Sequence, residues 1–253
     1  MSQAILIDIS SQNFVLFVGV MARTLAACFL FPGFSEPFLP MRYRLMCGFG
    51  IGVVIFPFVV SEMNVDNSIT ALSLIGSETV IGLFFGVMVR MAIFALQTAG
   101  AIAAQSLSLA QLGNFTAIDP MPAISQVMYV SGLAAFFIFG LHIRLIEIFA
   151  QTFLIFEFGH PLVGWQAASS VVQQSGKTLA LALQLAFPFC LLAVLFNFTL
   201  GAINKAMPQL MVALVGAPAA VGIALLLLAL TITPILMSWL NFQETAMYLY
   251  GTN

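Results

Sequence analysis

The sequence predicts an all-α integral membrane protein built from successive long, kinked helical hairpins. Three observations carry that prediction. The 253 residues are 62% hydrophobic and 6% charged, with a mean hydropathy of +1.11. A soluble domain carries about 25% charged residues, so a soluble reading would have to account for a missing polar surface. The apolar residues also lie in runs of membrane-crossing length, and at about 20 residues per span the chain has room for roughly six or seven. Finally, proline and glycine interrupt these runs, and a proline removes a backbone donor and clashes with the preceding helical turn.

The first apolar run is Phe14–Phe31, ending at Phe31-Pro32-Gly33. Residues Met1–Asn13 lack the basic start of a signal peptide and Arg23 interrupts the run, so it reads as a retained span. A proline-rich connector, Pro32–Arg44, leads to Leu45–Val60, which contains Gly48, Gly50, Gly52 and Pro57. After the acidic turn Ser61–Ser68 comes Ile69–Leu112, 44 residues without proline. As one helix it would extend about 66 Å, roughly twice a bilayer core. The expectation is two spans meeting near Arg90, or a helix pair projecting beyond the membrane. Gly113–Ser125 reads as a loop; Val127–Leu141 and Phe149–Phe158 are apolar and flank a charged patch. Leu179–Ile203 and Leu210–Leu240 complete the set. Between them a polar knot gathers Asn204, Lys205, Pro208 and Gln209, and Gly216-Ala217-Pro218 reads as a second break. Arg42 and Arg44 put the first connector on the cytoplasmic side under the positive-inside rule. Glu62, Asp66 and the N-terminus then lie outside, a scheme into which Lys205 does not fit easily.

Charges are few and expensively placed. Arg23, Glu78, Arg90, Arg144 and Glu147 lie within or beside apolar runs, where a charge at the bilayer centre costs about 2.5–3.5 kcal/mol on insertion scales and therefore faces a partner or water. Two readings compete: the charges line a proton or ion path, or they pair at helix–helix and subunit contacts. Arg144 and Glu147, three apart, suit a pair on one helical face. Glu78 and Arg90 are too far apart for a local pair and need partners elsewhere.

Several chemical-looking motifs fail on their own terms. Ser175-Gly176-Lys177-Thr178 resembles the end of a phosphate-binding loop, but the required first glycine position is Val171 and no strand precedes it. Gly48, Gly50 and Gly52 lack dinucleotide-loop spacing. Gly82 and Gly86 form a GxxxG, a close-packing face for a neighbouring helix. Cys28, Cys47 and Cys190 lie singly in apolar runs and read as buried small side chains. His142 and His160 are isolated, and no serine sits in a GxSxG turn with matching partners. No catalytic set, metal set or cofactor motif emerges, and a net charge of −2 offers no basic field for nucleic acid. The 13 methionines and 25 phenylalanines suit core and lipid contact, with Met121 and Met207 near loops placed to form a deformable seal.

The ordered set of motifs carries a family likeness. Asn197–Gly201 (NFTLG), Asn204–Gln209 (NKAMPQ) and Gly216–Pro218 resemble the C-terminal signature of the R-type (FliR/SctT-like) export-gate subunits of type III secretion. The order of Arg23, Pro32, Pro37 or Pro40, then Arg42 and Arg44, is similar to the N-terminal pattern of that family, as is the loop carrying Asp119-Pro120. The likeness runs nearly the whole length, with no single motif decisive.

The resemblance implies a non-enzymatic core subunit of a flagellar export gate in the bacterial inner membrane, at the flagellar basal body. It implies P-type (FliP) and Q-type (FliQ) partners, an FlhB-type switch protein, and secreted flagellar polypeptides as cargo. By the family's plan, residues 1–165 would be P-like hairpins and 166–253 a Q-like hairpin with Lys205 at its bend. The loop 113–125 would be the pore plug, with Gly113, Phe115, Asp119, Pro120, Met121 and Pro122 as its marked residues. Arg23, Glu78, Arg90, Arg144, Glu147, Lys205 and Gln209 would serve subunit contacts or intramembrane charge pairing. Many relatives have arginine where Lys205 stands, and a lysine cannot make the same two-pronged contact. The rival is a secondary transporter that uses Glu78, Arg90 and Glu147 as a path. Such proteins often show inverted halves with matching broken helices, and no convincing repeat is visible. A virulence-type injectisome gate is the other alternative, because both branches share these motifs.

Overall fold

A computed structural model describes residues 2–36, 38–60, 71–106, 122–156, 158–160, 164–206 and 212–251. Every regular element among them is a helix: α1 Ser2–Cys28, α2 Met41–Val60, α3 Ala71–Ser106, α4 Ala123–Ile138, α5 Leu141–Ile155, α6 Gly164–Ala206 and α7 Val212–Gly251. Four of them, α2, α3, α6 and α7, hold stretches long and apolar enough to cross a membrane; α4 and α5, broken at the Gly140 turn, make a fifth if taken as one span. Asn13–Cys28 is a shorter apolar helix. The expected six or seven spans therefore give way to fewer, longer helices. At 1.5 Å per residue, α3, α6 and α7 are about 54, 65 and 60 Å long.

Three local expectations change. The stretch around Arg90 contains no turn, and α3 runs through it as one helix of 36 residues. It has no proline, and Ala92, Ala95, Ala99, Ala101, Ala103 and Ala104 supply the best helix former to its second half. Gly216-Ala217-Pro218 does not break the chain, because α7 is already helical from Val212. Membrane helices tolerate such residues where neighbours satisfy the freed backbone groups, and Pro57 and Pro188 also lie inside helices. The charged patch at Arg144 and Glu147 is not a separator but part of α5. The real break is Phe139–Gly140, where Gly140 takes φ +70, a left-handed conformation that glycine adopts without penalty.

The chain divides into two compact units. The first comprises α1, α2, α3 to Met91, α5, α6 to Gln174 and the end of α7 from Thr245. Within it α1 is gripped on two sides by glycine faces. Gly48 of α2 lies against Leu25 and Cys28, and Gly52 against Met21 and Thr24. Gly82 of α3 lies on the Arg23 carbonyl and beside Ala26, and Gly86 lies against Ala27 and Leu30. The GxxxG read from the sequence is thus a packing face. Phe31, Phe85 and Phe149 cluster with centroids 5.5–6.0 Å apart; Phe31 meets each of the other two edge-to-face, the geometry that ring quadrupoles favour, and Phe85 and Phe149 are tilted at 48°.

The second unit comprises α3 from Ala92, α4, α6 from Ser175 and α7 to Glu244. Gly100 of α3 meets the backbone of Ser125 on α4, and Gly132 meets Leu96. The Ser125 hydroxyl donates to the Gln97 carbonyl at 2.8 Å. Trp239 is fully buried, and its indole N–H donates to the Ala92 carbonyl at 2.7 Å.

The glycine faces make a paired prediction. An added Cβ at Gly82 would lie on main-chain atoms of Arg23 and 3.0 Å from the Ala26 Cβ, whereas at Gly76 nothing lies within 4 Å. Overpacking of this kind costs about 1–3 kcal/mol. Gly82→Ala is expected to lower the thermal stability of the detergent-solubilised protein measurably. Gly76→Ala is expected to leave it unchanged or raise it slightly, since alanine is the better helix former.

Candidate functional site

A chain this apolar reveals its priorities through the places where it spends its charges. The deepest is Arg23 on α1, which is fully buried together with Glu78 of α3. Its Nε donates to Glu78 Oε2 at 2.5 Å, Nη1 donates to the Thr152 carbonyl at 2.9 Å, and Nη2 donates to the Phe156 carbonyl at 3.5 Å. The guanidinium lies over the Phe153 ring, 4.2 Å from its centroid. Glu78 Oε1 in turn accepts the Gly159 N–H at 2.8 Å.

Each of these contacts has a physical cause. Thr152 and Phe156 stand at the end of α5, the negative end of the helix dipole; the Thr152 carbonyl accepts the guanidinium in addition to the Phe156 N–H at 3.0 Å, and the Phe156 carbonyl lies past the last turn. The flat, many-donor guanidinium suits several acceptors at once. Four parts of the chain therefore converge on one ion pair: α1, α3, the end of α5 and the turn that follows. Both carboxylate oxygens of Glu78 are occupied within this network. The arrangement is a structural knot and not a relay with an open position.

A second group holds the connector between α1 and α2. Arg90 of α3 donates to the Ser35 hydroxyl and, at 3.5 Å, to the Leu30 carbonyl. Arg44 folds back from α2, its Nε donating to the Leu39 carbonyl at 3.1 Å and Nη2 to the Glu36 carbonyl at 2.5 Å. Glu36 is buried, with Oε1 accepting the Gly33 N–H at 3.3 Å. The sequence marked Arg44 for topology and for the family pattern but gave it no partner, and Glu36 went unmarked. The usable signal was an acid inside a proline-rich connector that closes with two arginines. Thr152, Phe156 and Gly159 were not findable, because they contribute main-chain groups that leave no mark on residue type.

The other marked residues are scattered. Arg144 is half-buried and engaged, but no ion pair joins it to Glu147, contrary to the local pairing expected from their spacing. The buried face of α5 runs through Leu141, Leu145, Ile148, Phe149 and Thr152, which turns Glu147 outward. Lys205 is exposed in the last turn of α6, where a cation complements the helix dipole. Pro122 immediately precedes α4 in extended conformation, φ −54 and ψ 140. Gly113, Phe115, Asp119, Pro120, Met121 and Gln209 lie outside the described residues, as do Met207 and Pro208. Among the described residues no cluster of three or more His, Cys, Asp or Glu side chains is disposed to hold a metal.

The family model for "Bacterial export proteins, family 1" matches residues 14–246. The chain belongs to this family of bacterial export proteins. The relatives agree in length as well as sequence. The chain is 28% identical over 224 residues to the flagellar biosynthetic protein FliR of Caulobacter vibrioides, covering 87% of this chain and 89% of that one. It is 27% identical over 212 residues to FliR of Escherichia coli, covering 82% and 80%. To the Yop proteins translocation protein T of Yersinia pestis it is 23% identical over 232 residues, covering 88% of each. Bacterial export proteins of this family are not enzymes, and they are multi-pass membrane proteins, in keeping with the long apolar helices found here.

Breaking the knot from one side should be worse than removing it. A buried ion pair left with one member costs about 3–5 kcal/mol, while replacing both members by apolar groups is often near neutral. Arg23→Met or Glu78→Met alone is expected to strip most of the folded protein from the membrane fraction. The double variant should recover a clear part of that loss, measured as protease-resistant protein in detergent.

Proposed function

We propose that this chain is the R-type core subunit of a flagellar protein export gate, forming part of the channel wall through which unfolded flagellar polypeptides leave the cell. The observation that carries the reading is the match to the export family over residues 14–246, together with relatives named for flagellar biosynthesis at 28% and 27% identity against 23% for the Yop translocation protein. The chemistry supports it. A channel wall must hold its own shape and leave transport energy to other components. The charges described here are used for internal stitching, at Arg23–Glu78, Arg90–Ser35 and Arg44–Glu36.

The partners we assign are the P-type (FliP) and Q-type (FliQ) subunits and the FlhB-type switch protein. Residues 1–165 correspond to P-like hairpins and 166–253 to a Q-like hairpin. The segment 113–125, which follows α3 and includes the first residues of α4, acts as the plug and carries Asp119-Pro120. Lys205 and Gln209, at the bend between α6 and α7, meet a neighbouring chain. The injectisome reading stays second because the Yop relative covers 88% of the chain at lower identity.

Two measurements test this. Co-expressed with the P-type and Q-type subunits and purified in mild detergent, the chain should elute as one large complex containing all three. Recovery only as a stable monomer would overturn the assignment. Deletion of Ala117–Ala123 should raise ion leakage through the assembled gate in liposomes, and leakage equal to wild type would remove the plug from that segment.

A further inference from the structure

The exposed side of α2 consists of an apolar wall with one bare cation at its end. Of the four stretches able to cross a membrane, that of α2 is the least covered by its own chain, with 17% of Met41–Phe58 buried against 56% in α3. Gly48 and Gly52 turn one side of α2 onto α1. The other side leaves Met46, Phe49, Val53, Val54 and Phe58 exposed, Met46 by 70% and Phe58 by 74%. From Leu45 to Val60 the helix carries no hydroxyl, amide or charged side chain. Helix contacts inside membranes favour small residues and hydrogen-bonding groups. Apart from Cys47 and Gly50, this side offers bulky apolar side chains, a surface suited to acyl chains.

The cation stands where that wall begins. Arg42, in the first turn of α2, is exposed and makes no hydrogen bond or ion pair among the described residues. Arg23, Arg44 and Arg90, by contrast, are spent on internal acceptors. Tyr43 is exposed by 58%, its hydroxyl likewise unbonded among the described residues, and Phe38 and Met41 just before it are exposed as well. Tyrosine and arginine at the end of an apolar helix mark headgroup depth, where the ring sits in the interface and the charged tip reaches the polar layer. The connector's one carboxylate, Glu36, does not neutralise Arg42. It is buried, with Oε1 on the Gly33 N–H.

We propose that Arg42 and Tyr43 hold the phosphodiester of an anionic phospholipid, whose acyl chains lie along Met46, Phe49 and Val53. Those three follow Arg42 by four, seven and eleven residues, on one helical face. The guanidinium is a flat, many-donor cation that suits two phosphate oxygens at once, and the tyrosine hydroxyl donates to a further headgroup oxygen. A zwitterionic headgroup competes poorly, because it brings its own cation to a site that already has one. The positive-inside placement of the Pro32–Arg44 connector puts the site in the cytoplasmic leaflet, where basic side chains attract acidic lipids. A protein partner fits worse: beyond an acid opposite Arg42 and the Tyr43 hydroxyl, this side of α2 gives it no polar group to set its register. The inference rests on the membrane assignment and not on the export-gate reading.

The test places the full-length chain in nanodiscs of equal phosphatidylglycerol and phosphatidylcholine, with Met46→Trp as a fluorescent reporter and brominated acyl chains on one lipid or the other. The signal of Trp165 and Trp239, measured without the reporter, is subtracted. Lipid occupancy read from quenching is expected to favour phosphatidylglycerol about fivefold. Arg42→Gln should bring the two lipids to equality, while Lys177→Gln, at another exposed cation, should leave the preference intact. Equal quenching by both lipids in the parent chain, or a preference that survives Arg42→Gln, overturns the proposal. A preference that falls as far in Lys177→Gln reflects net charge alone and overturns it too. Quenching that vanishes when the chain is assembled with co-expressed P-type and Q-type subunits gives the face to a subunit and likewise removes the lipid site.

Discussion

The ion pair between Arg23 and Glu78 is the constraint around which the first unit is arranged. A guanidinium removed from water must have its charge and its donors met together, because burying either partner alone is costly. Here the needs are met from several distant parts of the chain: a carboxylate from α3, carbonyls from the end of α5, and the Phe153 ring. Satisfying one side chain therefore fixes the positions of α1, α3 and α5 at once. The glycine contacts make that geometry reachable. Gly82 and Gly86 bring α3 onto the backbone of α1, close enough for the two side chains to meet without spanning a gap.

This division of labour suits an export subunit. A wall lining a protein conduit has to be stiff where it packs on itself and adhesive where it meets its neighbours. Packing glycines, a phenylalanine cluster and a saturated ion pair supply the stiffness. The side chains of α2, α6 and α7 that include Phe49, Val54, Leu191, Leu226 and Leu230 leave apolar surface exposed, as a membrane protein does toward lipid. No chemistry is asked of the chain, and its polar groups are disposed accordingly.

Much of this was legible in the sequence, for identifiable reasons. Composition alone settled the membrane class, and the Gly82–Gly86 spacing named a packing face before any partner was visible. What sequence could not give was the length and partnership of the elements. Nothing in residue type distinguishes two spans meeting at Arg90 from one helix that runs past it, since alanine, glycine and phenylalanine serve either. Proline misled at position 218 because membrane helices absorb it, while Gly140 mattered more than any proline near it. The pairing of Arg23 with Glu78 was open among several charges, and three of the four hydrogen bonds made by those two side chains go to backbone groups, which sequence does not mark.

The separation of those contacts along the chain also imposes an order on the birth of the protein. Glu78 follows Arg23 by 55 residues, and Thr152 follows it by 129. At typical synthesis rates the ribosome takes about 3–10 s to reach the first and about 6–25 s to reach the second. During that interval a cation meant for a dry interior has none of its native acceptors. Until α3 and α5 have emerged, the first helix carries an unpaired charge that costs about 2.5–3.5 kcal/mol at the bilayer centre on insertion scales.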